Sequence, residues 1–139
     1  MSFFRLKALL AVIISLVFFV STPALGDDFF KVKKSFEVFK KVWVKKLYRV
    51  ETDNFTGLKV TRSGGVYKAE YIGYGPNYRY QVKKTDSAVT PFIGVLRYKE
   101  IKYVSTGNSE QEVLKGPFSV DSSEEVKEIF RYTNGEWFY

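Results

Sequence analysis

Between Phe29 and Leu47 the large apolar residues fall at Phe29, Val32, Phe36, Phe39, Trp43 and Leu47, spaced 3, 4, 3, 4 and 4 apart. That spacing lines one face of a 3.6-residue period and predicts an amphipathic helix with a single buried stripe. Burying side chains of this size is worth roughly 1.5–3 kcal/mol each, so the rest of the chain has to supply a matching apolar face. Asp27 or Asp28 is the expected N-cap, and both acids sit where the helix dipole favours them. Val38, Val42, Val44 and Tyr48 lie off the stripe. The helix is therefore expected to run to about Lys46, with a strand from Lys41 onward as the alternative.

The other positions of this segment are basic. Residues 31–49 hold seven Lys and one Arg against the single acid Glu37, while residues 50–139 carry twelve bases and twelve acids. A basic balance confined to one block predicts one basic face rather than a generally adhesive surface.

Residues 1–26 read as a secretory signal peptide. Arg5 and Lys7 form a basic start, residues 8–20 an apolar run of thirteen, and Ala24-Leu25-Gly26 a small-x-small cleavage site. A spanning helix needs about 20 apolar residues, which this run does not reach. An uncleaved N-terminal anchor is the alternative, and no transmembrane segment is expected after cleavage. The mature chain, residues 27–139, is one domain by length, exported to the periplasm or secreted. It has no Cys, so its stability has to come from packing rather than disulfides.

After Gly57 the pattern changes to short strands and turn residues. Leu58–Arg62, Val66–Tyr74, Tyr78–Lys84 and Phe92–Val104 are strand candidates. They are separated by Ser63-Gly64-Gly65, by Gly75-Pro76-Asn77 and by the polar loop 85–91. Gly94 predicts a bulge or a close backbone approach. Ser109 with Glu112 is a capping box ahead of a short helical turn at 110–115, stopped by Gly116-Pro117. Asn134-Gly135 between aromatic arms predicts a two-residue hairpin pairing Tyr132 with Trp137 and Phe130 with Tyr139. Residues 123–130 also fit a helical period, but the hairpin signal favours a strand. The expected fold is α+β: an N-terminal amphipathic helix and a twisted antiparallel sheet of about four to six strands packed on it. That order is similar to cystatin-like and related cone-shaped architectures, by analogy of architecture alone.

Most catalytic routes are closed by composition. Without His or Cys there is no Ser-His-acid triad, no thiol nucleophile and no imidazole or thiolate metal site. The paired glycines read as turns rather than phosphate cradles. No cofactor and no metal are implied. Carboxylates remain: Glu124, Glu125 and Glu128 are close in sequence, and Glu70 and Glu100 could share neighbouring strands. They keep open an alternative, a small carboxylate-dependent hydrolase or carbohydrate-active enzyme.

Three features point to binding instead. The first is the basic helix face, with Lys33, Lys34, Lys40, Lys41 and Lys45. The second is a tyrosine-rich sheet, where Tyr78 and Tyr80 with Arg97 suit a ligand that stacks or carries negative charge. The third is the loop at 85–91, whose Asp86 and Ser87 are ready hydrogen-bonders. The expected function is a non-enzymatic interaction domain for a protein or an anionic envelope component, with no nucleic-acid ligand. Asn54-Phe55-Thr56 also matches the glycosylation pattern.

Overall fold

The computed structural model describes residues 25–139. The apolar run and basic start of the expected signal peptide lie outside these residues, while its last two, Leu25 and Gly26, open the first helix. That helix, α1 (Leu25–Thr56), is followed by β1 (Lys59–Ser63), β2 (Val66–Tyr74), β3 (Arg79–Lys84), β4 (Phe92–Gly107), α2 (Glu110–Lys115), β5 (Ser119–Thr133) and β6 (Glu136–Phe138). The architecture is α+β, a long helix laid along a curled antiparallel sheet.

Two expectations at the ends of α1 are corrected. Asp27 and Asp28 lie in its first turn rather than capping it, because the helix already begins at Leu25. At the other end it passes Lys46 and continues to Thr56, with no strand among Val42, Val44 and Tyr48. Tertiary contacts override the weak strand preference of those β-branched residues. Leu47 is buried in the core, Glu51 accepts the Tyr74 amide at 3.2 Å, and Asn54 Nδ2 donates to the Ile72 carbonyl at 2.9 Å. The last two turns are thus fastened to β2.

The sheet runs β1-β2-β4-β5-β6, and β3 also pairs with β4. β2 and β3 lie end to end along one edge of β4, pairing with Glu100–Gly107 and Phe92–Arg97 respectively. Between them Gly75-Pro76-Asn77 turns the chain, and the Gly75 amide bonds the Lys99 carbonyl at 2.8 Å. α1 and β4, about 48 Å and 53 Å long from their residue counts, match in length. The helix runs along the sheet from Phe92 to Tyr71, and α2 covers the end beyond it.

The main core lies beneath α1 from Val32 to Leu47. Val32, Phe36 and Leu47 pack against Val82, Leu96, Tyr98 and Phe130, with Trp43 and Trp137 at the margin. Gly94 is the close approach expected of it and not a bulge, since a Cβ there would overlap the Phe36 ring. The irregularity in β4 falls instead between Lys102 and Tyr103. The hairpin forms, with Asn134 and Gly135 both at positive φ (52° and 84°) and Tyr132 opposite Trp137, while the expected pairing of Phe130 with Tyr139 is not part of the ladder. Tyr139 lies beyond the end of β6, and its ring approaches Phe130 at 5.8 Å. A smaller core sits under α2, where Val113, Ala69 and Ser105 are buried. Ser109 caps α2 by accepting the Glu112 amide at 3.2 Å, while Glu112 reaches back to the Asn108 amide at 2.8 Å.

Candidate functional site

From Val32 to Leu47 the stripe of α1 is consumed by the core, which leaves its outer face as the exposed product of the basic segment. Lys33, Lys34, Lys41 and Lys45 are exposed there, with Lys31, Lys46 and Arg49. The one acid between Lys31 and Arg49 is turned away, because Glu37 accepts a short hydrogen bond from the Tyr80 hydroxyl on β3. That bond is the first cause of the raised Tyr80 pKa, ahead of burial. Lys40 follows Glu37 inward, with its Nζ 4.3 Å from the centroid of the Tyr80 ring. Lys46 covers Trp43 in the same way at 4.4 Å.

What remains outward is not purely polar. Phe30, Val38 and Val42 are 68%, 61% and 64% exposed, and at 100° per residue they fall in one arc with Lys34, Lys41 and Lys45. Both valines lie off the apolar stripe, and Val42 falls within the alternative strand from Lys41. On a continuous helix they become apolar islands among unpaired cations. Among the described residues no α1 lysine forms an ion pair; the pairs recorded belong to Lys68, Arg79, Arg97 and Lys102.

The other expected site residues are not gathered with this face. Tyr78 and Tyr80 are half-buried in the seam between helix and sheet. The Tyr78 hydroxyl is buried beside Tyr48 and finds no hydrogen-bond partner among the described residues. Burial first, then Tyr48, pushes its pKa up. Arg97 is on the back of the sheet, alternating with buried Leu96 and Tyr98, and pairs with Glu125 at 3.4 Å. Arg79 joins it on Glu125 at 2.6 Å, at the rim of a groove of about 730 Å³. Asp86 and Ser87 are exposed in the loop between β3 and β4. Ser87 Oγ accepts the Thr90 amide at 3.1 Å, so it serves the loop's own backbone.

The carboxylates divide similarly. Glu70 faces Val104 across the ladder, not Glu100, and its pKa is lowered, first by its bond to Lys68 and then by Lys102. Glu128 was undervalued by sequence reasoning. It faces inward beside Tyr98 and accepts from Trp43 Nε1 at 2.6 Å. Burial, the largest influence, pushes its pKa above the ordinary carboxylate range against the opposing effects of Trp43, Tyr98 and Lys46. Two-residue alternation back from Phe130 would have placed it on the buried face.

Asn54 has its amide nitrogen committed to Ile72, which leaves the glycosylation match without a free acceptor atom. Among the described residues no cluster of three acids is set to hold a metal, and no helix is long and apolar enough to cross a membrane. No family model, curated protein or solved structure matches this chain.

Proposed function

We propose that this is a non-enzymatic exported or periplasmic binding domain whose working surface is the outer face of α1, presented to an anionic partner at the cell envelope. The observation that carries this reading is the inward turn of Glu37 onto Tyr80. It leaves the outer face without an acid from Lys31 to Arg49 and with Val38 and Val42 exposed between the lysines. Each lysine brought to an anionic surface contributes about 1 kcal/mol, falling with salt. The two valines add apolar contact that a merely solvated face would not offer.

Titration with polyphosphate and with polyglutamate at low and high salt tests this. The triple reversal Lys34→Glu, Lys41→Glu, Lys45→Glu should lose at least about tenfold in affinity, since it changes six units of charge on one face. Reversing Arg79 and Lys127 on the back of the sheet should change affinity little. Equal losses from the two sets would contradict the proposal.

The hydrolase reading keeps one favourable observation, the raised pKa of Glu128. One of its oxygens accepts from Trp43 Nε1, and burial holds the group in the seam, which favours a structural role. Hydrolysis of any glycoside or ester that is abolished in Glu128→Gln with folding retained would reverse that preference.

A further inference from the structure

The two ends of the molecule differ in chemistry. At one end lie the start of α1, the loop between β3 and β4 and the β5–β6 turn, tied together by Thr90 and Thr133, whose hydroxyls are 3.5 Å apart. A groove of about 840 Å³ opens there, floored by Phe29, Val32, Phe92 and Tyr132 and flanked by Lys31 and Lys84. Phe29 and Phe92 meet at 6.0 Å along it. The two segments bordering the groove carry Phe30, 68% exposed, and Val89, 73% exposed. The far end carries α2 with exposed Glu110 and Glu112 in its first turn.

We infer that the groove end docks on an anionic phospholipid bilayer, with Phe30 and Val89 entering the interfacial layer and Lys31 and Lys84 resting among the headgroups. This surface is distinct from the outer face of α1, with which it shares Phe30 and Lys34, and the inference goes beyond that reading by naming an anionic partner for this end. Three observations carry it.

The sequence immediately before this end is the apolar run of residues 8–20. This is therefore the end of the fold to which that run is joined in sequence. Next, part of the loop's backbone is satisfied from within, which lowers the cost of bringing it to an interface. Thr85 donates its hydroxyl to the Thr90 carbonyl, the Thr85 amide bonds the Pro91 carbonyl at 2.9 Å, and Ser87 takes the Thr90 amide. Polar groups satisfied internally cost little to carry out of water. The third observation is charge. Lys31, Lys33, Lys34, Lys83, Lys84 and Arg131 are exposed here against Asp28, Asp86 and Glu136, a basic balance that complements an acidic headgroup layer.

The test uses the protein as cells make it, with its N-terminus read by intact mass. Because the chain has no Cys, a single cysteine at position 30, 89 or 63 takes one environment-sensitive NBD label. Vesicles of phosphatidylcholine with a quarter phosphatidylglycerol are compared with pure phosphatidylcholine. The labels at 30 and 89 should brighten and shift blue on the anionic vesicles, while the label at Ser63, the last residue of β1 at the far end, should not. The unlabelled double variant Phe30→Ser, Val89→Ser, both positions being exposed, should keep its melting temperature and partition about tenfold more weakly. Equal shifts at position 63, or none at 89, would overturn the inference. So would a label at 89 that is already blue in buffer and indifferent to vesicles, which would mean that residues 8–20 fill the groove. Binding to polyphosphate without binding to vesicles sinks this inference and leaves the α1 reading standing; loss of both sinks both.

Discussion

The Phe36 ring occupies the space that any side chain at position 94 would need: a Cβ on Gly94 would come within 2.6 Å of Phe36 Cδ2. Helix and sheet therefore touch through a ring laid directly on strand backbone. Phe36 is fully buried there, edge-on to Trp137 at 4.6 Å.

Gly94→Ala is expected to destabilise the fold by about 2–3 kcal/mol, the upper range for overpacking a tight core. Phe36→Leu in the same chain should recover part of that loss, because the clash is with the ring and not with strand geometry. Urea unfolding of the single and double variants measures both, and additive losses would show that the two positions do not meet.

Stability should depend on pH through Glu128. Its folded pKa is raised, chiefly by burial, so the folded state holds the proton more tightly than the unfolded chain. The contribution is fully present below the ordinary carboxyl pKa and is lost as pH rises through the raised value. Glu128→Gln keeps an acceptor for Trp43 and removes the titration. Unfolding free energies from about pH 4 to about pH 8 should decline less in the variant; identical profiles would place the carboxylate in solvent.

Asn54→Ala should cost about 1–3 kcal/mol, because it leaves the Ile72 carbonyl without its partner. Hydrogen exchange should speed up over residues 51–56 before the main core responds. Uniform acceleration across the chain would mean that the end of α1 has no local role.

β5 has an open outer edge. β6 covers only Arg131–Thr133, and among the described residues no strand pairs with the rest of that side. The two-residue turn makes Thr133 and Glu136 a mutually bonded pair. By alternation Ile129, Lys127 and Glu125 then direct their amides outward. Charged residues on an edge discourage strand addition. Glu125→Thr with Lys127→Thr should promote self-association in sedimentation velocity, while an unchanged monomer would show that the edge is protected by other means.

The parts of this fold governed by local physics were legible. The stripe from Phe29 to Leu47, the Asn134-Gly135 turn, the Ser109 cap and the Gly94 approach each follow from spacing or backbone freedom within a few residues. The end of α1 was not, because Val42, Val44 and Tyr48 carry strand-like preferences and the ties through Glu51 and Asn54 lead to β2, beyond the reach of local pattern. The lysines of the candidate face could be named, but not the removal of Glu37 from among them, which depends on Tyr80, 43 residues away. For the same reason the Glu128–Trp43 bond, 85 residues apart, left no trace in spacing. By sequence alone the tyrosines fit cross-strand packing as well as a ligand-facing surface. Their rings meet one another in the seam, as Tyr78 meets Tyr98 at 5.7 Å and Tyr74 meets Tyr98 at 5.8 Å.

The most direct test of the account is a map of amide chemical shifts in the isotope-labelled protein titrated with polyphosphate at low salt. Perturbations confined to Lys34, Val38, Lys41, Val42 and Lys45, and reversed by added salt, are the expected result. Perturbations centred on Arg79, Arg97 and Lys127, or spread without focus over every lysine, would contradict the claim that the outer face of α1 is the working surface.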